Sequence, residues 1–114
     1  MAYQWFVFQA DLEPTVGHEQ AGRRPVLVVS AEPINNAYGV VSVLSITTRK
    51  NNRPARLAEV LVPAGCAGLP NESFVLCYQI RALDKARLGR GYGELIDSTL
   101  RRQILRTLAD CFDM

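Results

Sequence analysis

The chain has no apolar run long enough to span a membrane: every apolar stretch is broken well short of the ~20 residues a spanning helix needs. The opening residues Ala2-Tyr3-Gln4-Trp5-Phe6-Val7-Phe8 carry no basic region and no small-residue cleavage site, so no secretory signal peptide is expected. Cysteine is scarce. Cys66, Cys77 and Cys111 are odd in number and far apart, which excludes a zinc spacing and a disulfide framework and fits reduced thiols in a cytoplasm. Cys77, inside an apolar run, reads as a small core residue. No clustered carboxylates are present to hold magnesium, nor a His/Cys set for zinc, so neither a metal nor another cofactor is expected. Internal repeats, low-complexity tracts and linkers are also missing, and 114 residues make one domain, 1–114, with one modest core.

Basic residues are missing from the first part of the chain. Up to Gly22 there are Asp11, Glu13 and Glu19 but no lysine or arginine, whereas Arg49, Lys50, Arg53 and Arg56 follow one another with no acid between them. A net charge of +2 is too small to argue for a nucleic-acid partner, but this clustering supplies the counterion-release part of RNA affinity. With Asn51, Asn52 and Pro54 inside it, the basic segment reads as a flexible loop, either a solvated face or a phosphate-tracking arm.

What is present is most telling between Gly17 and Pro25, Gly-His-Glu-Gln-Ala-Gly-Arg-Arg-Pro, which runs into Val26-Leu27-Val28-Val29. A histidine, a carboxylate, a carboxamide and two guanidiniums gather in one glycine-punctuated loop. These groups can move protons around a phosphodiester and neutralise its charge. His18 is the only histidine, and its side-chain type alone titrates near neutrality when unperturbed.

Strands are expected at Tyr3–Gln9, Pro25–Ser30, Val40–Thr47, Leu57–Val62 and Phe74–Ile80, with a turn or a single short helical turn at Glu32–Asn36, where Pro33 is tolerated at the start. The glycines and arginines between Arg87 and Gly93 read as a mobile link. Asp97 offers an N-cap to a last helix whose Leu100, Ile104, Leu108 and Phe112 form one apolar stripe, with Arg101, Arg102 and Arg106 outside it. Some five strands and one helix make an α+β fold, a small antiparallel barrel or curled sheet packed on the helix.

In order and spacing, the block DLEPTVGHEQAGRRPVLVVS (Asp11–Ser30), then Ser45-Ile46-Thr47-Thr48, Gly68-Leu69-Pro70, Val75-Leu76-Cys77-Tyr78-Gln79-Ile80-Arg81 and Leu83–Leu88, resembles the MazF/PemK family of toxin endoribonucleases. The resemblance runs from about Trp5 to the C-terminus. It implies an SH3-like (CcdB/PemK-type) barrel that forms a homodimer, cleaves single-stranded mRNA in a sequence-selective manner, and is silenced by a cognate acidic antitoxin. The products of such metal-free cleavage are a 2′,3′-cyclic phosphate and a 5′-hydroxyl.

Carried onto this sequence, the resemblance makes Arg24 and Thr47 catalytic. His18 and Glu19 become candidates for the base, and Gln20 lines the RNA groove. Because a guanidinium keeps its proton, Arg24 is better read as an electrostatic stabiliser than as an acid or base. Arg23, Thr48, Arg49, Lys50, Arg53, Arg56, Tyr78, Gln79 and Arg81 are the accompanying RNA-binding candidates. Two departures stand out: Ala2-Tyr3-Gln4 replaces the family's usual Arg-Gly-Asp or Arg-Gly-Glu opening, and Tyr78 replaces the usual acid or amide after Cys77. Tyr78 removes one candidate base and offers a ring for base stacking. The same barrel serves a non-enzymatic branch, CcdB, that poisons gyrase through its C-terminal helix. That branch does not need the Gly17–Pro25 loop with Thr47, and it uses a tryptophan near its C-terminus, where this chain ends in Cys111-Phe112-Asp113-Met114.

Overall fold

Val7, Leu27 and Val29, Leu44 and Ile46, Val60 and Val62, and Val75 and Cys77 are buried in one cluster. Where two come from one segment they stand two apart, the repeat that puts side chains on one face of a sheet. The computed structural model describes residues 2–114. Its strands are β1 (Phe6–Asp11), β2 (Arg23–Val28), β3 (Val40–Thr48), β4 (Glu59–Val62), β5 (Ser73–Asp84) and β6 (Leu88–Glu94). They form one six-stranded sheet in the order β4-β5-β3-β2-β1-β6, with every neighbouring pair antiparallel. The opposite face carries a second cluster, with Phe8, Ala10, Val26, Val28, Val41 and Val43 joined by Leu12 and Leu83. β2 is therefore buried on both faces, as its continuous apolar run implies.

The expected α+β architecture is present, a curled antiparallel sheet with a C-terminal helix, and it contains a sixth strand. Arg87–Gly93, expected as a mobile link, belongs largely to β6 and pairs with β1. Its glycines mark close backbone approach instead of mobility. The 3-10 turn Cys66–Gly68, which follows β4, packs against β6 and so brings the two edges of the sheet together. A Cβ on Gly68 would lie 2.1 Å from the Tyr92 carbonyl oxygen, and one on Gly93 would lie 3.0 Å from the Ala67 carbonyl carbon. Gly68 also has φ +74°, a conformation that glycine adopts without penalty.

The short helix α1 (Glu32–Ala37) takes the helical of the two forms expected there, with Pro33 in its first turn. The last helix, α2 (Ser98–Cys111), starts as its sequence implies: the Asp97 carboxylate accepts from the N–H groups of Thr99 and Leu100. Ile104 is fully buried, Leu100 and Leu108 pack against the first core, and the helix lies on β4 and β5. Phe112 departs from the expected stripe. It forms the C-cap and is 58% exposed, because the helix ends before the fourth turn of the stripe can reach the sheet. The first strand also begins later than expected, at Phe6, since Trp5 turns through φ +68° to enter the core.

The edge-to-edge contact gives a direct test. Gly68→Ala meets both a wrong φ and a carbonyl oxygen, and should cost at least ~3 kcal/mol. Gly65→Ala, at φ +86° with open space around it, should cost only about 1–2 kcal/mol of backbone strain. Urea midpoints for the two variants would check the order; equal losses would show that Tyr92 does not constrain Gly68.

Candidate functional site

The ladder between β2 and β3 starts with Val26 opposite Ser45. The ladder between β1 and β2 runs further, to Arg24 opposite Ala10 and Arg23 opposite Asp11. Arg23, Arg24 and Pro25 are thus paired on one side only, and Pro25, with no N–H to give, falls in the stretch that β3 does not pair. Beyond that point Thr47 and Thr48 stay with β5, opposite Phe74 and Ser73. Where the two strands part, a cleft of about 340 Å³ opens, lined by Arg24, Pro25, Thr47, Thr48, Asn71 and Tyr92 among others. The arginine pair, expected in a loop, belongs to a strand, which makes its placement more rigid than a loop would.

Arg24 is half-buried and donates through Nε to the Ala21 carbonyl at 2.9 Å. Among the described residues no carboxylate pairs with it, so its terminal amines are available to an anion. Thr47 is half-buried and Thr48 exposed on the facing strand end.

A second feature extends the cleft. On β3, Val43 and Ser45 are two positions apart, while their partners on β5, Arg81 and Leu76, are five apart. β5 therefore bulges across Cys77–Ile80, and such a bulge redirects side chains. Tyr78 is 54% exposed here while Cys77 stays in the core, where burial pushes its thiol up to about 12. Gln20, Thr47, Thr48, Lys50, Arg53, Arg56 and Tyr78 line an adjoining cleft of about 260 Å³. Glu19, Gln20, Ser45, Tyr78, Gln79 and Arg81 line a third of about 230 Å³. Shared walls make the three one groove. Arg23 reaches its first section; His18 and Arg49 line none of the three.

The Gly17–Gln20 loop is held to the bulge by one side chain. Gln79 donates through Nε2 to the His18 carbonyl at 3.0 Å and accepts from the Gln20 N–H at 3.4 Å. Glu19 accepts from the Val16 N–H at 2.6 Å through one carboxylate oxygen and so braces its own loop. Ser45, Asn71 and Tyr92 went unnoticed in the sequence. Ser45 alone carried a usable signal, being two residues before Thr47 on the same strand and hence on the same face.

A family described as PemK-like, MazF-like toxin of type II toxin-antitoxin system matches residues 3–112. The chain belongs to the PemK/MazF toxin family. Endoribonuclease EndoA of Bacillus subtilis is 37% identical over 82 residues, which cover 72% of this chain and 70% of that one. Endoribonuclease PemK of Escherichia coli is 34% identical over 104 residues, covering 90% and 76%. Among solved structures, the Mycobacterium tuberculosis toxin MazF-mt6 is 26% identical with a TM-score of 0.76, covering 96% of this chain and 97% of that one. MazF of Deinococcus radiodurans is 25% identical with a TM-score of 0.82, covering 99% and 97%.

In this PemK/MazF toxin the basic segment is not a flexible loop. Arg49 donates to the Arg53 and Asn52 carbonyls at 2.8 and 3.0 Å and pairs with Glu72 at 3.2 Å. Arg53 grips both oxygens of Glu59, at 2.8 and 3.1 Å, and lies 4.2 Å over the Phe74 ring. Lys50 and Arg56 are exposed and have no carboxylate partner among the described residues. Burial alone would raise the Glu59 carboxyl, but the Arg53 guanidinium and the Arg56 N–H outweigh it and hold it below its ordinary 4.5. Glu32 is lowered too, by hydrogen bonds from the Asn35 amide and from the Gln4 and Tyr3 N–H groups.

Both carboxyls have folded pKa values below their unfolded ones. Their contribution to stability is therefore complete above the ordinary value of 4.5 and lost as pH falls through the lowered folded values. Thermal melts should show a flat Tm from that value to neutrality and a decline below it. Arg53→Ala should lower Tm at neutral pH, with the deficit narrowing on acidification as Glu59 takes up its proton. A deficit that stays constant with pH would mean Arg53 acts through its packing on Phe74 alone.

Proposed function

We propose that the chain is the toxin of a type II toxin–antitoxin system, a sequence-selective endoribonuclease of single-stranded mRNA that works without a metal and arrests translation and growth. The supporting observation is that Arg24 and Thr47, from strands that part at this point, face one cleft in which the guanidinium has no carboxylate partner. The relatives named as endoribonucleases, EndoA and PemK, support the same reading. Cleavage by the RNA's own 2′-hydroxyl asks for no metal. The CcdB-like alternative is not favoured, because these relatives carry RNA-cleaving names and a gyrase poison has no use for the Arg24–Thr47 cleft.

In this mechanism the 2′-oxygen attacks the adjacent phosphorus, the 2′-O–P bond forms and the P–O5′ bond breaks. The products are a 2′,3′-cyclic phosphate and a 5′-hydroxyl. Arg24 stabilises the charge that grows on the non-bridging oxygens, and the Thr47 hydroxyl donates to one of them. The 2′ proton passes to Glu19, which lines the groove, or to His18 beside it, and the leaving 5′-oxygen takes a proton from solvent water to become the 5′-hydroxyl. Tyr78 supplies a stacking face, and Arg23, Thr48, Lys50 and Arg56 follow the phosphates. Arg53, committed to Glu59, shapes this wall of the groove, and Arg49 holds the basic segment in place. The silencing partner is a cognate acidic antitoxin; a mycobacterial endoribonuclease of the same fold, 23% identical with a TM-score of 0.80, was solved in complex with its cognate antitoxin. The toxin is further proposed to act as a cytoplasmic homodimer.

Arg24→Ala should retain the wild-type Tm and lose roughly a hundredfold or more in cleavage rate, about 3 kcal/mol of transition-state stabilisation. Chelator should leave the wild type unaffected. In the pH–rate profile, a limb that disappears in His18→Gln assigns the base to His18, and one that persists assigns it to Glu19. A folded, fully active Arg24→Ala protein would refute the site.

Antitoxin and RNA should compete for the groove, with an affinity that falls as salt rises. Lys50→Glu with Arg56→Glu should weaken antitoxin binding and flatten that salt slope while leaving the Arg53–Glu59 pair intact. Unchanged affinity and slope would place inhibition on another face.

A further inference from the structure

Ser45 is only 1% exposed, and among the described residues its hydroxyl has no hydrogen-bond partner. The side-chain oxygen of Gln20 is likewise enclosed and without a partner among the described residues. Buried polar atoms are seldom left so. Here both line the same cleft, the one behind the β5 bulge, with Tyr78 and Arg81. The cleft exists because β5 is longer than β3 at this point. A single-residue insertion would have brought the strands back into register; the larger mismatch leaves a recess behind Tyr78.

The recess is built and held. Gln79 uses both ends of its amide on the loop, which positions Gln20 against β5. Arg81 donates to the Leu12 carbonyl at 3.2 Å and keeps further N–H groups for the recess. Its volume of about 230 Å³ is several times the ~30 Å³ that one water takes up in the liquid. A single water bridging Ser45 and Gln20 would not fill it. A planar ring with polar groups on one edge suits it better: Ser45 can donate, Gln20 can accept, and the exposed Tyr78 ring offers a stacking face.

Building on the RNA-cleaving reading above, we infer that this recess admits one unstacked nucleobase of the substrate and that Ser45 and Gln20 read its Watson–Crick edge. The base presents an N–H to Gln20 Oε1 and an acceptor to the Ser45 hydroxyl. The recess joins the Arg24–Thr47 cleft through the section lined by Gln20, Thr47 and Tyr78, so the base belongs to a nucleotide flanking the one cut. A wrong base leaves two enclosed polar atoms unpaired, and a site of that kind rejects strongly. Ser45 is thereby a specificity-determining residue that takes no part in the chemistry.

The test compares wild type, Ser45→Ala and Gln20→Met on oligoribonucleotides that carry each of the four bases at every position of the preferred word. Expected is a fall of roughly tenfold or more in kcat/KM for the preferred base at one position, with much smaller changes for the other three bases there. Preferences elsewhere in the word should hold. Removing an unpaired hydroxyl should not lower Tm, so Ser45→Ala decides the matter even if Gln20→Met fails to fold. Equal losses for all four bases, or no change at all, would overturn the inference while leaving the RNase reading intact. If wild type cut no RNA, that reading would fail instead. The pocket would then be judged by the same oligonucleotides binding to Arg24→Ala, where an absence of base preference sensitive to Ser45→Ala overturns it.

Discussion

Two steps along β3 against five along β5 is the mismatch on which the site rests. Antiparallel pairing normally keeps neighbouring strands in step, and surplus residues must leave the plane of the sheet. In this protein they leave it on the groove side, next to the place where β2 and β3 part. Tyr78 is carried outward, Cys77 stays in the core, and Gln79 reaches the Gly17–Gln20 loop. Without the mismatch the groove would be a flat sheet face with two threonines on it.

The rest of the molecule keeps that irregularity affordable. Two apolar clusters, one on each face, fix the register of the ladders by alternation, since a one-residue slip would turn each strand's apolar set outward. The edges of the sheet meet through backbone at Gly68 and Gly93, where side chains would hold them apart. Charge is divided in a similar way. Arg49 and Arg53 serve the architecture of the basic segment, and Lys50 and Arg56 are left to solvent.

The fold class, the two-sided burial of β2, the Asp97 cap and the Gly17–Pro25 segment were legible because each rests on local information: periodicity, capping chemistry or a dense motif. β6 was not legible. Its glycines look like mobility in a sequence and act as points of close approach in the structure, a distinction set by Ala67 and Gly68 from elsewhere in the chain. The roles of Arg49 and Arg53 were hidden as well: Glu72 reaches Arg49 only through the β3–β5 pairing, and Glu59 reaches Arg53 only because the segment between them turns at Arg56. Phe112 kept the helical period, but the helix ended before the period could matter. Ser45 could be placed on the groove face by parity, yet its lack of a partner depends on the bulge, which no pattern in β5 announces.

The clamp made by Gln79 has a thermodynamic side. A free loop carrying Glu19 and Gln20 would have to be ordered each time a ligand arrived, and that entropy would be subtracted from every binding event. Tied at the His18 carbonyl and the Gln20 N–H, the loop is ordered once, during folding. The tie also makes the loop and the bulge a single mechanical unit pivoting on one amide. Glu19 lies between the two tied residues, so the position of its backbone is fixed by Gln79, a residue of the bulge.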